Sequence, residues 1–565
     1  MRASEESPHT STITAAIAAT MTWTTAAGRR KLAAGALSSL PTTSKGERVG
    51  FFSSSGHGAV LVATLLTCAA YTLAYPPFDG NALAWIALTP VAAVLMDPRL
   101  RFGLPTAAAA GFAFGYLTSL AIVGHWSFLA ARDFFGRSSG FSFAFTLAVP
   151  LLSSGVALWY GAAFVCIRLL AHSSALARIA GFACLWTSFE WMRAILGYGN
   201  PWALLGDALA PLRLVRQVAE LGGVWLLTWI AAAFAASAAM AWTERRAWPL
   251  VLSVLLAASP CAYGWMRLEA LEAGHASLRI GLVQPSVGKS VLWDAAGADE
   301  HMQNLLDLSR SGELWDVDVI VWPENALPFL LDANPERAQT VRTLATTLDT
   351  AIIAGGSRST SDQTGSVRVF NSAFYFPLDG GEPVASDKMR LMPYTETRPH
   401  WASWLAGSTW QGAYAEGDKP TLFAFYEQRI GSLMCLEAAD PRLARRLTRE
   451  GATVLVNLSN DSWFDAGAGP EQHFAATRLR AVETRRPLVR VATTGISAVV
   501  DATGHLMARL PARQSAVALV EDVRPSTATT LYVRWGDWVV WASMAMGAIL
   551  LAAAPARVAT TRRRR

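Results

Sequence analysis

A thiol, a carboxylate and an ammonium, each just beyond a run of apolar residues, are the side chains here best suited to covalent chemistry. Cys435 sits in Gly431-Ser432-Leu433-Met434-Cys435-Leu436-Glu437 and is the single cysteine between positions 276 and 525. Residues 429–434 are apolar enough for a buried strand, and a strand end is where an α/β sheet presents reactive groups. Glu324 follows Val-Ile-Val-Trp-Pro, a second apolar run, stopped by proline. Lys388 lies in Ser-Asp-Lys-Met-Arg-Leu-Met-Pro-Tyr, after the run around Phe374 and a Gly-Gly turn. A thiol attacks as thiolate, so it needs a base or a cation beside it. A half-buried carboxylate can be that base. An ammonium can lower the thiol pKa and hold the oxyanion of a tetrahedral intermediate. Taken one at a time, the three read equally well as an exposed acid, a surface lysine and a core cysteine.

The elements that must position them lie between 276 and 525. Strand-like runs at 278–284, 317–322, 350–355, 369–376, 429–434, 453–458 and 488–492 alternate with amphipathic stretches at 300–309, 335–348, 441–450 and 472–484. That alternation predicts a layered α/β domain of about 250 residues, enough for its own core.

The rest of the chain is of another kind. A hydrophobic fraction of 52%, only 16% charged residues and 22 Trp in 565 residues predict a polytopic membrane protein. Seven apolar segments fall near 58–75, 82–97, 106–128, 143–170, 177–197, 218–241 and 248–266, and an eighth near 533–555. Arg99, Arg101, Arg168, Arg178, Arg245, Arg246 and the closing Arg562 to Arg565 put their loops and both termini in the cytoplasm. Seven spans then deliver 276–525 to the outer face. The expected organisation is a disordered extension 1–55, a bundle of seven helices 56–270, the domain 276–525, an eighth helix 530–556 and a basic tail 557–565. A net charge of +6, spread over ends and loops, speaks against nucleic-acid binding. Four of the five cysteines lie in the apolar runs, so no disulfide framework is expected. His473 lacks partners at zinc-like spacing, and neither metal nor cofactor is called for. Glu190 and Arg193, three apart on one helical face, are either a structural ion pair or a contact for a lipid headgroup.

Trp-Pro-Glu324, then Asp-Lys388, then Cys435-Leu-Glu437 resembles the Glu-Lys-Cys triad of the nitrilase, or carbon-nitrogen hydrolase, superfamily. With Asn460-Asp461-Ser-Trp463-Phe464, Gly469-Pro-Glu-Gln472-His473-Phe and Arg478-Leu-Arg480-Ala-Val-Glu483, and with the flanking helices, the chain is similar to the apolipoprotein N-acyltransferase family over roughly 58–555. The resemblance implies a membrane bundle of about eight spans carrying a nitrilase-like α-β-β-α sandwich. It implies Cys435 as nucleophile, Glu324 as general base and Lys388 as oxyanion stabiliser. Glu396 and Glu437 fall on further essential acids, Trp293 on a tryptophan of the substrate-binding region, and Asn460 and Trp463 in a supporting block. Thr395, Thr397, Leu436 and Asn325 depart from the family's usual residues around the site.

The implied reaction moves an acyl chain from a phospholipid to a diacylglyceryl-modified apolipoprotein, at the bacterial inner membrane and on its outer face. A monomer is the favoured state. Trp401, Trp404, Leu405, Trp410, Trp463 and Phe464 are candidates for lid loops that dip into the bilayer surface. A membrane-tethered amidase would use the same triad, and a non-catalytic lipid carrier is the alternative of a different class.

Overall fold

The computed structural model describes residues 56–563 except 135, 154, 198, 271–276, 287–294, 362–365, 394, 398–413, 465–466 and 511–516. The expected extension 1–55 lies outside the described residues, as do Trp293, Trp401, Trp404, Leu405 and Trp410.

Residues 56–270 form a helical bundle: Gly56–Leu73, the short turns Asn81–Trp85 and Thr89–Leu95, Leu104–Leu129, Ser139–Leu152, Val156–Leu169, Ala175–Ile195, Ala219–Glu244 and Ala247–Ala270. Trp538–Arg563 packs back against Ala175–Ile195. Serines start two of these helices, Ser138 accepting from the Phe141 N–H at 3.3 Å and Ser174 from the Ala177 N–H at 3.4 Å. The helices Leu104–Leu129 and Val156–Leu169 touch at Gly111, where a Cβ would stand 2.2 Å from the Tyr160 carbonyl oxygen.

Of the eight spans expected, five are, among the described residues, long and apolar enough to cross a bilayer: Gly56–Leu73, Leu104–Asp133, Ser139–Leu169, Val215–Glu244 and Ala247–Ala270. The second expected segment is a tight turn, Asn81–Trp85, and a short helix, Thr89–Leu95, together less than a full span, and the apolar part of the last helix, Trp538–Ala554, is shorter too. The fifth, Ala175–Ile195, carries Arg178, Glu190 and Arg193 and is buried on nearly every face. A helix enclosed by other helices has no need of an apolar surface for lipid.

The α/β part contains β1 (Leu278–Gln284), β2 (Val319–Val321), β3 (Leu327–Leu330), β4 (Ala351–Ser361), β5 (Val367–Phe376), β6 (Val384–Asp387), β7 (Leu422–Phe425), β8 (Gln428–Met434), β9 (Val454–Ser459), β10 (Leu488–Ala492), β11 (Ala498–Val500), β12 (Leu506–Arg509) and β13 (Val517–Val523). One sheet runs β13-β1-β2-β4-β5-β6, with β3 on β4, and the other β12-β11-β10-β9-β8-β7. The two inner faces close on Ile280, Val321, Ile353, Met434, Val456 and Val491. Helices Ala295–Ser309 and Pro335–Leu348 cover the outer face of the first sheet. Pro441–Arg449 and Gly469–Thr484 cover that of the second. The result is an α-β-β-α sandwich.

The helix Gly469–Thr484 also seats the sandwich on the bundle. Its Gln472 accepts from the Trp126 and Trp202 indoles at 3.2 and 2.9 Å, and donates to the carbonyls of Pro76 and Ile122 at 3.0 Å each. Arg485, just past its end, pairs with Glu220 of the bundle at 2.7 Å.

Candidate active site

Three of the singled-out residues sit where their strands stop. Cys435 follows β8 directly, Lys388 follows β6 directly, and Glu324 comes three residues after β2. Pro323 ends β2, since a proline cannot donate to the ladder. Its carbonyl accepts from the Gly355 N–H at 3.1 Å, and a Cβ on Gly355 would stand 2.6 Å from the Glu324 Cα. Glycine at that point of β4 lets the Glu324 backbone approach the sheet.

All three side chains are buried, Glu324 3%, Lys388 2% and Cys435 7% exposed. The Lys388 ammonium lies 3.1 Å from Glu324 Oε1 and 2.9 Å from Glu396 Oε1. Asn371 of β5 donates its amide to the same two oxygens, at 2.9 and 2.8 Å. The other Glu324 oxygen accepts the Asn460 backbone N–H at 3.0 Å, and the other Glu396 oxygen that of Met392 at 2.7 Å. One buried cation thus stands between two anchored carboxylates. Burial works against the Lys388 charge, but Glu324 and then Glu396 outweigh it and hold the ammonium well above its usual range.

Cys435 is a buried free thiol, and its charge would be felt by Lys388, Glu324 and Glu396. Burial first, and Glu324 next, push its pKa up, and the pull of Lys388 is too weak to reverse them. The ammonium does pull the thiol pKa down, as expected, but burial and Glu324 outweigh it, and the resting thiol keeps its proton. Its backbone has φ of 49°, a left-handed conformation uncommon outside glycine and asparagine.

Glu437 joins two of the three loops. Its carboxylate accepts the N–H groups of Met389 and Arg390, next to Lys388, at 2.7 and 2.9 Å, and that of Met434, next to Cys435, at 2.8 Å. Burial pushes it up to about 7 against these donors. Arg390 then reaches the bundle, donating to the Ala194 and Gly199 carbonyls at 3.2 and 2.6 Å.

The remaining expectations resolve unevenly. Asn460 acts here through its backbone, while its side-chain oxygen accepts from Ser462. Trp463 lies in the turn Asp461–Phe464, its side chain outside the described residues. Phe464, expected in a lid, is 4% exposed and packs on Trp126 and Trp202, with ring centroids at 5.0 and 5.7 Å. A ring facing indoles of the bundle buries its area against protein instead of lipid. Glu190 and Arg193 form the structural alternative: their ion pair is buried at 3.5 Å, and Arg193 also donates to the carbonyls of Asn200, Trp202 and Ala203.

Sequence reasoning missed Asn371 and Arg490. The signal was plain for Arg490, a charged residue flanked by Val489 and Val491 in a buried strand, and weaker for Asn371, which lies beside Ser372: a buried polar residue in a strand needs a partner.

The family model described as carbon-nitrogen hydrolase matches residues 279–530, and the apolipoprotein N-acyltransferase N-terminal domain matches 67–237. An apolipoprotein N-acyltransferase of Geobacter metallireducens is 31% identical over 516 residues, covering 88% of this chain and 94% of that one. One of Brucella melitensis is 30% identical over 528 residues, covering 89% and 96%. Among solved structures, a Nesterenkonia AN1 amidase of the nitrilase superfamily aligns at 15% identity and TM-score 0.35, over 47% of this chain and 96% of that one.

Proposed function

Because this chain belongs to the apolipoprotein N-acyltransferase family, we propose that it moves an acyl chain from a membrane phospholipid to an apolipoprotein, through a thioester on Cys435. The acceptor is the α-amine of an N-terminal diacylglyceryl-cysteine. The observation that carries this reading is the buried Glu324–Lys388–Glu396 network beside a free, protonated thiol.

Since burial keeps the thiol protonated, Glu324 takes its proton as the sulfur attacks the phospholipid ester carbonyl. The oxyanion rests on the Lys388 ammonium and on a backbone N–H beside Cys435. The C–O bond breaks, lysophospholipid leaves with the proton from Glu324, and the acyl chain stays on sulfur. The lipoprotein amine then attacks the thioester and gives its proton to Glu324, and the returning thiolate is reprotonated from it. Glu396 and Asn371 hold Lys388 and Glu324 in place. Glu437 keeps the loops after Lys388 and β8 together.

Both substrates are lipid-anchored, so a site seated on a membrane bundle raises their effective concentration. In this reading the helices 56–270 and 530–556 hold the domain 276–525 on the outer face of the inner membrane, with both termini cytoplasmic and the enzyme a monomer.

The test incubates purified enzyme with phospholipid labelled in its acyl chains. The expected product is a hydroxylamine-labile adduct on Cys435 that a diacylated lipopeptide discharges to an N-acyl product. Label still trapped covalently on the Cys435→Ala enzyme sinks the assignment of the nucleophile. Ammonia released from small amides, with no lipid adduct, would favour the amidase.

A further inference from the structure

The reactive loop rests on a second buried network that the mechanism above leaves unused. His473 Nε2 lies 3.1 Å from the carbonyl oxygen of Cys435, and the Asn457 amide donates to the same oxygen at 3.3 Å. Behind them, Arg490 pairs with Asp461 at 2.9 and 2.8 Å and lies 3.0 Å from His473 Nδ1. His473, Asp461, Asn457 and Arg490 are all at most 2% exposed.

The protonation state follows from the partners. A carbonyl oxygen only accepts, so Nε2 carries a hydrogen. A guanidinium only donates, so Nδ1 facing Arg490 is bare. The Asp461 oxygen 3.3 Å from Nδ1 is already served by Arg490 and by the Ser459 hydroxyl at 2.8 Å. Burial and then Arg490 push the imidazolium down, which agrees with a neutral ring. The Asn457 amide is fixed the same way, its oxygen accepting from Arg490 and its nitrogen donating to the Leu433 carbonyl at 3.1 Å. The seat is also closed sterically, since a Cβ on Gly495 would stand 2.0 Å from Asp461 Oδ2.

We propose that His473, helped by Asn457, is a positioning residue for acyl transfer: it grips the carbonyl of the Cys435–Leu436 peptide unit, fixing its direction and polarising its N–H as an oxyanion donor. Hydrogen bonds arriving at one end of a peptide unit strengthen the bond made at the other. The grip also holds Cys435 in its left-handed conformation, which sets where that N–H points. This inference rests on Cys435 being the nucleophile and is independent of which lipid supplies the acyl chain.

The test compares two reactions of Cys435 in the full-length enzyme, each read by mass spectrometry of the Cys435 peptide. Acylation by a p-nitrophenyl ester passes through an oxyanion, whereas alkylation by iodoacetamide does not. His473→Leu should slow acylation about tenfold, part of the roughly 10²–10³-fold worth of a whole oxyanion donor, and change alkylation less than about twofold. His473→Gln, which restores an N–H donor, should recover most of the loss. Equal loss in both reactions, no loss in either, or no recovery with glutamine would overturn the proposal. If His473→Leu fails to accumulate, Asn457→Ser decides: it removes the other donor to the same carbonyl and must show the same selective loss. Wild-type enzyme acylated by the activated ester but not by phospholipid would overturn the lipid donor alone.

Discussion

Two of the buried ionic clusters, one in the bundle around Glu190 and Arg193 and one in the sandwich around Glu324 and Lys388, are finished differently. Glu190 receives the Leu205 N–H at 3.0 Å, the Tyr71 hydroxyl at 3.1 Å and the Thr228 hydroxyl at 2.9 Å, while Arg193 spends its donors on Tyr160 and three carbonyls. Neither of these two side chains keeps an unpartnered polar atom. Around Glu324 the same kind of anchoring stops short: among the described residues Asn371 Oδ1 and Asn460 Nδ2 are buried without a partner, and the Cys435 thiol is free. A closed cluster stiffens a fold, whereas an open one keeps groups available to a substrate.

The sharpest way to break this contrast is to neutralise the acid in each cluster. Glu324→Gln should slow formation of the Cys435 adduct by about 10²–10⁴-fold, with a melting temperature close to that of the native enzyme. Glu190→Ala should do the reverse, costing about 3–5 kcal/mol in detergent unfolding because Arg193 is left buried and unpaired, with the rate per folded molecule little changed. Equal damage to rate and stability in both variants would erase the distinction.

Acidity gives a smaller handle. The three N–H groups on Glu437 need its carboxylate, and burial pushes that group up to about 7. As pH falls through 7 it takes a proton, one acceptor becomes a donor, and a loop contact is lost. Acylation should therefore fall on the acid side of pH 7, at most about tenfold per pH unit, and Glu437→Gln should be slow but flat there. The smallest effect on the chemistry is expected at the joint between the two regions. Gln472→Leu strands the partners of its amide, at about 1–3 kcal/mol for each buried group left unpaired, read as lowered thermal stability with the sandwich chemistry retained.

What was legible in the sequence was what is local. β1, β10 and the helix Pro335–Leu348 come out at the expected residues because apolar periodicity and a proline or glycine mark their ends. Glu324, Lys388 and Cys435 could be picked out because each follows such a run. β3, β6, β7, β11 and β12 were not legible, being three or four residues long, too short for a period to show, and all but the buried β11 are half-exposed or edge-lying. The five full spans, against eight expected, show the limit of hydropathy for a helix such as Ala175–Ile195 that is enclosed by protein. Asn371 meeting Glu324, or Gln472 meeting Pro76 across 396 positions, depends on tertiary approach that no window of sequence contains.

β1 and β13 pair antiparallel from Leu278↔Val523 to Gln284↔Val517, so the first and last strands of the sandwich are neighbours. Cα atoms facing each other in such a pair are about 5 Å apart, and the chain therefore comes up from one helix and goes back to another through a single narrow neck. A unit whose chain enters and leaves side by side has its ends already matched, so a single break in a host chain would suffice to receive it.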